Sequence, residues 1–448
     1  MGCTASSHIA VVTGGANFAA SYNFNSIGVA ELLIDRAGGH VTTLAASLLD
    51  CSAFVGCIIG MLTFGYLGDR FGRRRAMALT LAISTLGAAM SGLTAGVDGS
   101  NIEASIIAWR VMLGIGLGGA YPLSATLAYE SVSDEDAYRA SSADRQKSAE
   151  LKVAYANFWQ CVAVEALYCI TLVVLALPGS YTVDWRLVLA LGAVPCLVSA
   201  ASLWAIGLVE SAEFSAVTQT HGAALLSPGD FLARVRRDGH LTALVAASAC
   251  WALYNMVAYG FLVYAPEILE TVLGNLSVWQ NLRVDAGATV FQFVGGVVSL
   301  PLMERVGSRL ALALGGAVMS FASLLIGVAC FGSCSSAPVA IGLMCFARFG
   351  MQLPGVPVFT LPNVLFPTEI RASCHGVAAA VGKVGAAVGT YAFPILIDAL
   401  GVGPVFLIAA VLCFALVAVA LVFVPPADQA LSKDKDELRT SLLPPRSK

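Results

Sequence analysis

Runs of about 20 apolar residues recur along almost the whole chain, and nothing else restricts its fold so tightly. Each run is long enough to cross the hydrocarbon core of a bilayer as a helix. In that solvent a backbone must satisfy its own hydrogen bonds, which leaves helices or closed barrels. Continuous apolar runs, rather than alternating ones, select helices. Of the 448 residues, 58% are hydrophobic and only 12% charged, where a soluble domain carries about 25% charged residues. The reading is an all-α membrane protein with twelve transmembrane helices, near 8–32, 43–66, 75–96, 104–130, 151–177, 187–209, 240–264, 285–303, 310–331, 338–365, 373–397 and 403–424.

A polar interval divides six spans from six. The expected organisation is an N-terminal six-helix half (1–209), a central cytoplasmic linker (210–238), a C-terminal six-helix half (239–424) and a disordered cytoplasmic tail (425–448). Arg70, Arg73, Arg74, Arg75, Arg145, Lys147, Arg234, Arg236, Arg237, Arg305, Arg309 and Arg371 fall in loops on one side, and Arg36, Arg186 and Arg283 on the other. The positive-inside rule then puts both termini in the cytoplasm. The sequon Asn275-Leu276-Ser277 lies outside in this arrangement, where a glycan can be added. A net charge of −3 gives no reason to expect nucleic acid. The twelve cysteines show no zinc spacing, so most read as small buried hydrophobes, and Cys330 with Cys334 is the one pair close enough for a loop disulfide. No metal or cofactor is called for, and no catalytic constellation stands out. "MGCTAS" at the start fits a myristoylation pattern, with Cys3 open to palmitoylation; no cleavable signal peptide is evident.

The halves repeat one another. "GYLGDRFGRR" (65–74) follows the second span and "LMERVGSR" (302–309) the eighth, so Asp69, Arg70, Gly72 and Arg74 map onto Glu304, Arg305, Gly307 and Arg309 at a constant offset of 235. Arg110 and Arg348 differ by 238. Duplicated six-span units are a transporter signature, with the binding site between them at the midplane. Asp69, Arg70, Arg73, Arg74 and Glu130, with Glu304, Arg305 and Arg309 in the repeat, are read as gating ion pairs that break and reform as the halves rock. The alternative is a simple positive-inside anchor.

The loop 65–74 resembles the signature of the major facilitator superfamily. "GLGGAYPLSATLAYE" (116–130) and "LFPTEIRASCHGVAAAVGKVGAAVG" (365–389) resemble the fourth- and eleventh-span signatures of its phosphate:proton symporters, and "WRLVLALGAVPCLVSA" (185–200) and "VESAEF" (209–214) their sixth-span patterns. The resemblance implies two pseudo-symmetric six-helix halves and an alternating-access carrier of inorganic phosphate or a similar small oxyanion. It implies substrate-binding roles for Tyr121, Gln160, Trp251, Asn255, Tyr259 and Lys383. Intramembrane polar groups are costly enough to be functional candidates in their own right. Trp251, Asn255 and Tyr259 share one helical face, offering an indole N–H, an amide and a phenol. For Tyr121 and Gln160 the alternative is hydrogen bonding between helices, and for the aromatic stripe it is packing. Gly116, Gly118 and Gly119 let the fourth span approach its neighbours closely, and Pro122 frees a carbonyl.

The departures from that family are as informative. Its intramembrane aspartates are replaced by Ala20, Asn23, Ala120 and Asn255; Gly355 and Val364 depart in the tenth span. An amide can hydrogen-bond but cannot carry a proton in this range. Without a coupled cation, moving one negative charge inward costs about 2.3 kcal/mol per 100 mV, roughly a fifty-fold ratio. Proton coupling is therefore in question. Arg110, Glu165 and Asn23 are the coupling candidates. Glu165, five residues beyond Gln160, is the best replacement acid, unless it merely pairs with Arg110; Asp50 is weaker. The alternatives are a carrier of an organic anion or neutral polyol, and a non-transporting phosphate receptor. The membrane adopted is the plasma membrane rather than an internal one.

Overall fold

The computed structural model describes residues 2–38, 43–94, 100–132, 142–207, 228–273, 277–330 and 337–426, together with residues 210 and 215. The apolar runs form helices: α1 (Gly2–Arg36), α2 (Thr43–Phe71), α3 (Arg73–Leu93), α4 (Ser100–Glu130), α5 (Ser142–Ala176), α6 (Tyr181–Leu191), α7 (Ala193–Ile206), α8 (Pro228–Arg237), α9 (Leu241–Leu273), α10 (Val278–Ala329), α11 (Ala337–Leu365), α12 (Arg371–Leu400) and α13 (Val402–Val422). Nine of them, and α6 and α7 taken together, are long and apolar enough to cross a membrane. Their outer faces are apolar: Val55, Ile59 and Leu62 on α2, Leu314, Phe321 and Leu324 on α10, and Val411 and Phe414 on α13 are exposed. Arg73, Arg110, Asn363, His375 and Lys383 are buried instead. A soluble protein of this size does not turn a continuous apolar coat outward; a bilayer is what covers it.

Two glycines set the sharpest turns. Gly72 (φ 104°) ends α2 against α3, and Gly307 (φ 76°) breaks α10 into two arms. Both sit in the φ > 0 region that favours glycine, 235 residues apart as the sequence pattern requires. The sixth run does not form one helix: it breaks at Gly192, where the Asn23 amide donates to Gly192 O at 3.0 Å. The N-terminus of α10 carries a capping box from Ser277 and Gln280.

Small residues bring the helices together. A Cβ at Gly56, Gly60, Gly114 or Gly118 would lie within 2.1–2.3 Å of a backbone oxygen across the α2–α4 contact. The fourth-span glycines therefore work by close approach, Gly116 and Gly119 against α3 and Gly118 against α2. Two seams join the amino-terminal helices to the carboxy-terminal ones: α2 against α12, and α5 against α10. Asn275, Cys334, the Asp50 and Cys3 side chains, most of 208–227 and the tail from 427 lie outside the described residues.

Candidate functional site

A cavity of about 540 Å³ lies between the two sets of helices and extends from mid-bundle toward the end where α10 begins. Tyr121, Gln160, Trp251, Asn255, Tyr259 and Lys383 all line it. Four helices, α4, α5, α9 and α12, supply these side chains to a single space.

Lys383 is its centre. The side chain is buried, and Nζ donates to the Tyr259 hydroxyl at 2.8 Å. Four aromatic rings surround the ammonium, with centroids 4.4 Å away for Phe24, 4.9 Å for Tyr259, 5.1 Å for Phe54 and 5.5 Å for Tyr121. Ring faces attract a cation and partly replace its water. No carboxylate pairs with Lys383 among the described residues. The cage leaves a positive charge facing a cavity, which is a ready site for an anion.

The amides are partly committed. Asn255 donates one hydrogen to Gly382 O at 2.9 Å, and Gln160 donates one to Asn17 Oδ1 at 2.8 Å. Asn17 in turn donates to Ser124 Oγ at 3.0 Å, so α5, α1 and α4 are linked through Gln160. Each amide keeps a second N–H for a ligand. Trp251 packs edge-on against His375 (5.3 Å) and Phe359 (6.0 Å), which close the cavity below it.

At the arginine-rich end the bundle is shut. Asp69 accepts from Ala372 N (3.2 Å), Ser373 N (2.7 Å) and Ser373 Oγ (2.6 Å), placing a carboxylate on the N-terminus of α12. Buried Arg73 reaches Asp69 at 3.1 Å and Glu130 at 3.3 Å and donates to Thr368 O. Glu130 also holds Arg371 at 3.3 Å, and Arg371 stacks over Tyr129. Glu210 accepts from the backbone of Arg73 and Arg74. The repeat does not reproduce this arrangement. Glu304 is exposed and, among the described residues, pairs with Lys147 alone at 3.9 Å, Arg305 is exposed, and Arg309 donates to Ala420 O. Here it is Glu150 of α5 that accepts from Ser308 N at 3.1 Å. Arg70 is exposed too, bonded to Tyr66 OH on its own helix. Of the sequence-read gating residues, Asp69, Arg73 and Glu130 come together; Arg371 and Glu210 join them, unselected because loop charges looked interchangeable.

The coupling candidates stand apart from the Lys383 cage. Arg110 donates to Asn23 O at 3.0 Å, and the Asn23 amide bonds Ala19 O and Gly192 O. Asn23 is thereby a tie between α1 and the break in the sixth run. Glu165 does not meet Arg110: it lies beside Thr289 of α10 and within electrostatic reach of Arg348 of α11. Asp285 and Arg348 line the cavity and were not picked out as site residues from sequence. The signal was present, since each is a charge within an apolar run.

Comparison with known proteins follows the same lines. The family model for sugar (and other) transporters matches residues 209–429, and that for the major facilitator superfamily matches residues 11–146. The chain is similar to the inorganic phosphate transporter PT2 of Toxoplasma gondii, 29% identical over 424 residues, covering 92% of this chain and 71% of that protein. It is 26% identical to the probable inorganic phosphate transporter 1-6 of Arabidopsis thaliana, covering 87% and 86%. It is also 26% identical to the glycerophosphocholine permease GIT4 of Candida albicans, covering 86% and 72%. Among solved structures, the proton:xylose symporter XylE superposes with a TM-score of 0.76 at 19% identity, covering 95% and 97%. The E. coli fucose:proton symporter gives 0.69 at 16%, covering 94% and 98%. At these identities the structures share the fold.

Proposed function

Because the chain belongs to the major facilitator superfamily, we propose that it carries inorganic phosphate across a membrane by alternating access. The observation that carries this reading is Lys383, a buried ammonium held in an aromatic cage with no acid on it among the described residues. A tetrahedral oxyanion entering the cavity replaces Tyr259 as the first partner of the ammonium. The hydroxyls of Tyr121 and Tyr259, the indole N–H of Trp251 and the spare amide hydrogens of Gln160 and Asn255 complete a donor set. Ala120 and Asn255 stand where acids would repel the ligand. Relatives whose names specify phosphate support the same substrate.

On this reading the chain spans the membrane twelve times as two six-span units joined by residues 210–238. α10 supplies two spans on either side of Gly307. The arginine-rich end is cytoplasmic by the positive-inside rule, which puts both termini inside; the membrane proposed is the plasma membrane. The conformation is then outward-facing. Transport requires Asp69 to leave the N-terminus of α12 and Glu130 to release Arg73 or Arg371, opening the α2–α12 seam.

Labelled phosphate exchange into phosphate-loaded proteoliposomes tests the proposal. Wild type exchanges phosphate. Lys383→Gln removes charge-assisted bonds of about 1.5–3 kcal/mol and weakens half-saturation roughly ten- to hundredfold. Absence of exchange sinks the reading. So does exchange abolished by glycerophosphocholine or a neutral polyol at concentrations below those at which phosphate competes.

A further inference from the structure

At the seam between α5 and α10, one guanidinium lies within reach of an acid from each helix and forms an ion pair with neither. Arg348 of α11 is 4% exposed and lines the cavity; among the described residues it makes no hydrogen bond or ion pair, and its Nε is orphaned. Asp285 of α10 lines the same cavity with Oδ1 unpartnered. Glu165 of α5 has Oε1 unpartnered. The Thr289 hydroxyl, which donates to Ala286 O at 3.0 Å, also lies within hydrogen-bonding reach of Glu165 and leaves Oε1 as the open oxygen. Both carboxylates lie within electrostatic reach of Arg348. A buried guanidinium left unpaired between two acids from opposite sides of a moving seam is too costly to be filler.

We propose that Glu165 and Asp285, sharing the Arg348 guanidinium across the α5–α10 seam, bind the proton that accompanies the anion held at Lys383. This rests on the phosphate reading and adds the coupling ion and its place. Arg348 offsets one carboxylate and, in the empty site, Lys383 offsets the second; once an anion neutralises Lys383, the second carboxylate holds its charge only at a high cost and takes up one proton. Among the described residues, the other ionisable groups around the three are Tyr168 and Cys161 on α5, Cys345 on α11 and Glu31 on α1, the last already engaged. None of them supplies a second cation.

Charge balance gives the proton its function. With Lys383 and Arg348 positive and Glu165 and Asp285 negative, the empty site is neutral. Monovalent phosphate makes it negative by one charge, and one proton on the carboxylate pair restores neutrality. The loaded and empty carriers then both cross the potential without electrical work. Five residues separate Gln160 from Glu165, about 7.5 Å along α5, so proton and anion occupy separate positions. The seam is also where the two sets of helices must part. Moving α5 from α10 takes Glu165 away from Arg348 and Asp285 and changes how tightly the proton is held.

The experiment is labelled phosphate accumulation by the full chain in proteoliposomes, with both compartments acidic enough that monovalent phosphate predominates. In wild type an acid-outside gradient drives accumulation and an imposed voltage alone does not. In Glu165→Gln and Asp285→Asn, phosphate–phosphate exchange persists, the acid gradient no longer drives uptake, and an inside-positive voltage now does, approaching about fifty-fold per 100 mV. Voltage-driven accumulation by wild type overturns the inference without any variant, as does retained acid drive in both carboxamide variants. Exchange with no acid drive in wild type overturns it alone; no exchange at all overturns the phosphate reading and this inference together.

Discussion

Gly376→Ala should wedge the arginine-rich end open. Gly376 of α12 lies against α2 so closely that a Cβ there would sit 2.2 Å from Met61 O, where ordinary contact begins near 3.4 Å. The atom in the way is backbone and cannot swing aside, so the helices must part by about 1 Å. That displacement stretches the Asp69 bonds to Ser373 N and Ser373 Oγ, now 2.7 and 2.6 Å, past hydrogen-bonding range. Bonds to a charged acceptor contribute about 1.5–3 kcal/mol each, and Asp69 recovers part of this by meeting water once the seam opens. A net penalty of roughly 2–3 kcal/mol on the closed end shifts the conformational equilibrium about 30- to 150-fold. The readout is a single cysteine at Gly28, which lines the cavity with open space at its Cβ, in a protein whose other cysteines are replaced. Its labelling by an impermeant maleimide should slow by tens of fold in Gly376→Ala. Gly342→Ala, where a Cβ meets nothing, should leave the rate alone. An unchanged rate in folded Gly376→Ala protein would refute the assignment of the α2–α12 contact as the closing seam.

Other expectations follow from single contacts. Glu130→Gln leaves Arg73 and Arg371 buried without their shared carboxylate, a loss of about 3–5 kcal/mol that should appear as slower Gly28→Cys labelling and a lower melting temperature. Asn255→Asp introduces a carboxylate into the cavity of Lys383. Phosphate half-saturation should rise at neutral pH and recover as acid protonates the new group; pH-independent affinity would place residue 255 away from the anion. Gly192→Ala puts a Cβ 2.1 Å from Asn23 Oδ1 and should destabilise by about 1–3 kcal/mol in thermal unfolding. Asn23→Ala should relieve the clash in the double variant, and strictly additive losses would contradict the contact.

The legible part of this protein was what depends on local pattern. Apolar runs yield helices because a backbone in hydrocarbon has no other partner. The 235-residue offset puts Gly72 and Gly307 at matching turns, since both need φ > 0. Tyr121, Trp251, Asn255, Tyr259 and Lys383 could be picked out because the family resemblance marks those positions and because polar side chains in apolar helices are rare. Where spacing stopped helping was in the partners. Asp69 and Glu304 look equivalent in sequence, yet one docks on the N-terminus of α12 and the other faces solvent beside Lys147, because only the first seam brings a helix start within reach.

Sequence alone therefore determined a helical membrane protein with repeated turns and a short roster of intramembrane polar residues. Tertiary structure decided which of them share a space. It surrounded Lys383 with four aromatic rings from α1, α2, α4 and α9, committed Asn23 to the break at Gly192, and placed Glu165 within reach of Arg348 rather than Arg110. The physical reason is that burial of a charge is set by what other helices bring to it, and helix-to-helix register carries no signature in the spacing along any one of them.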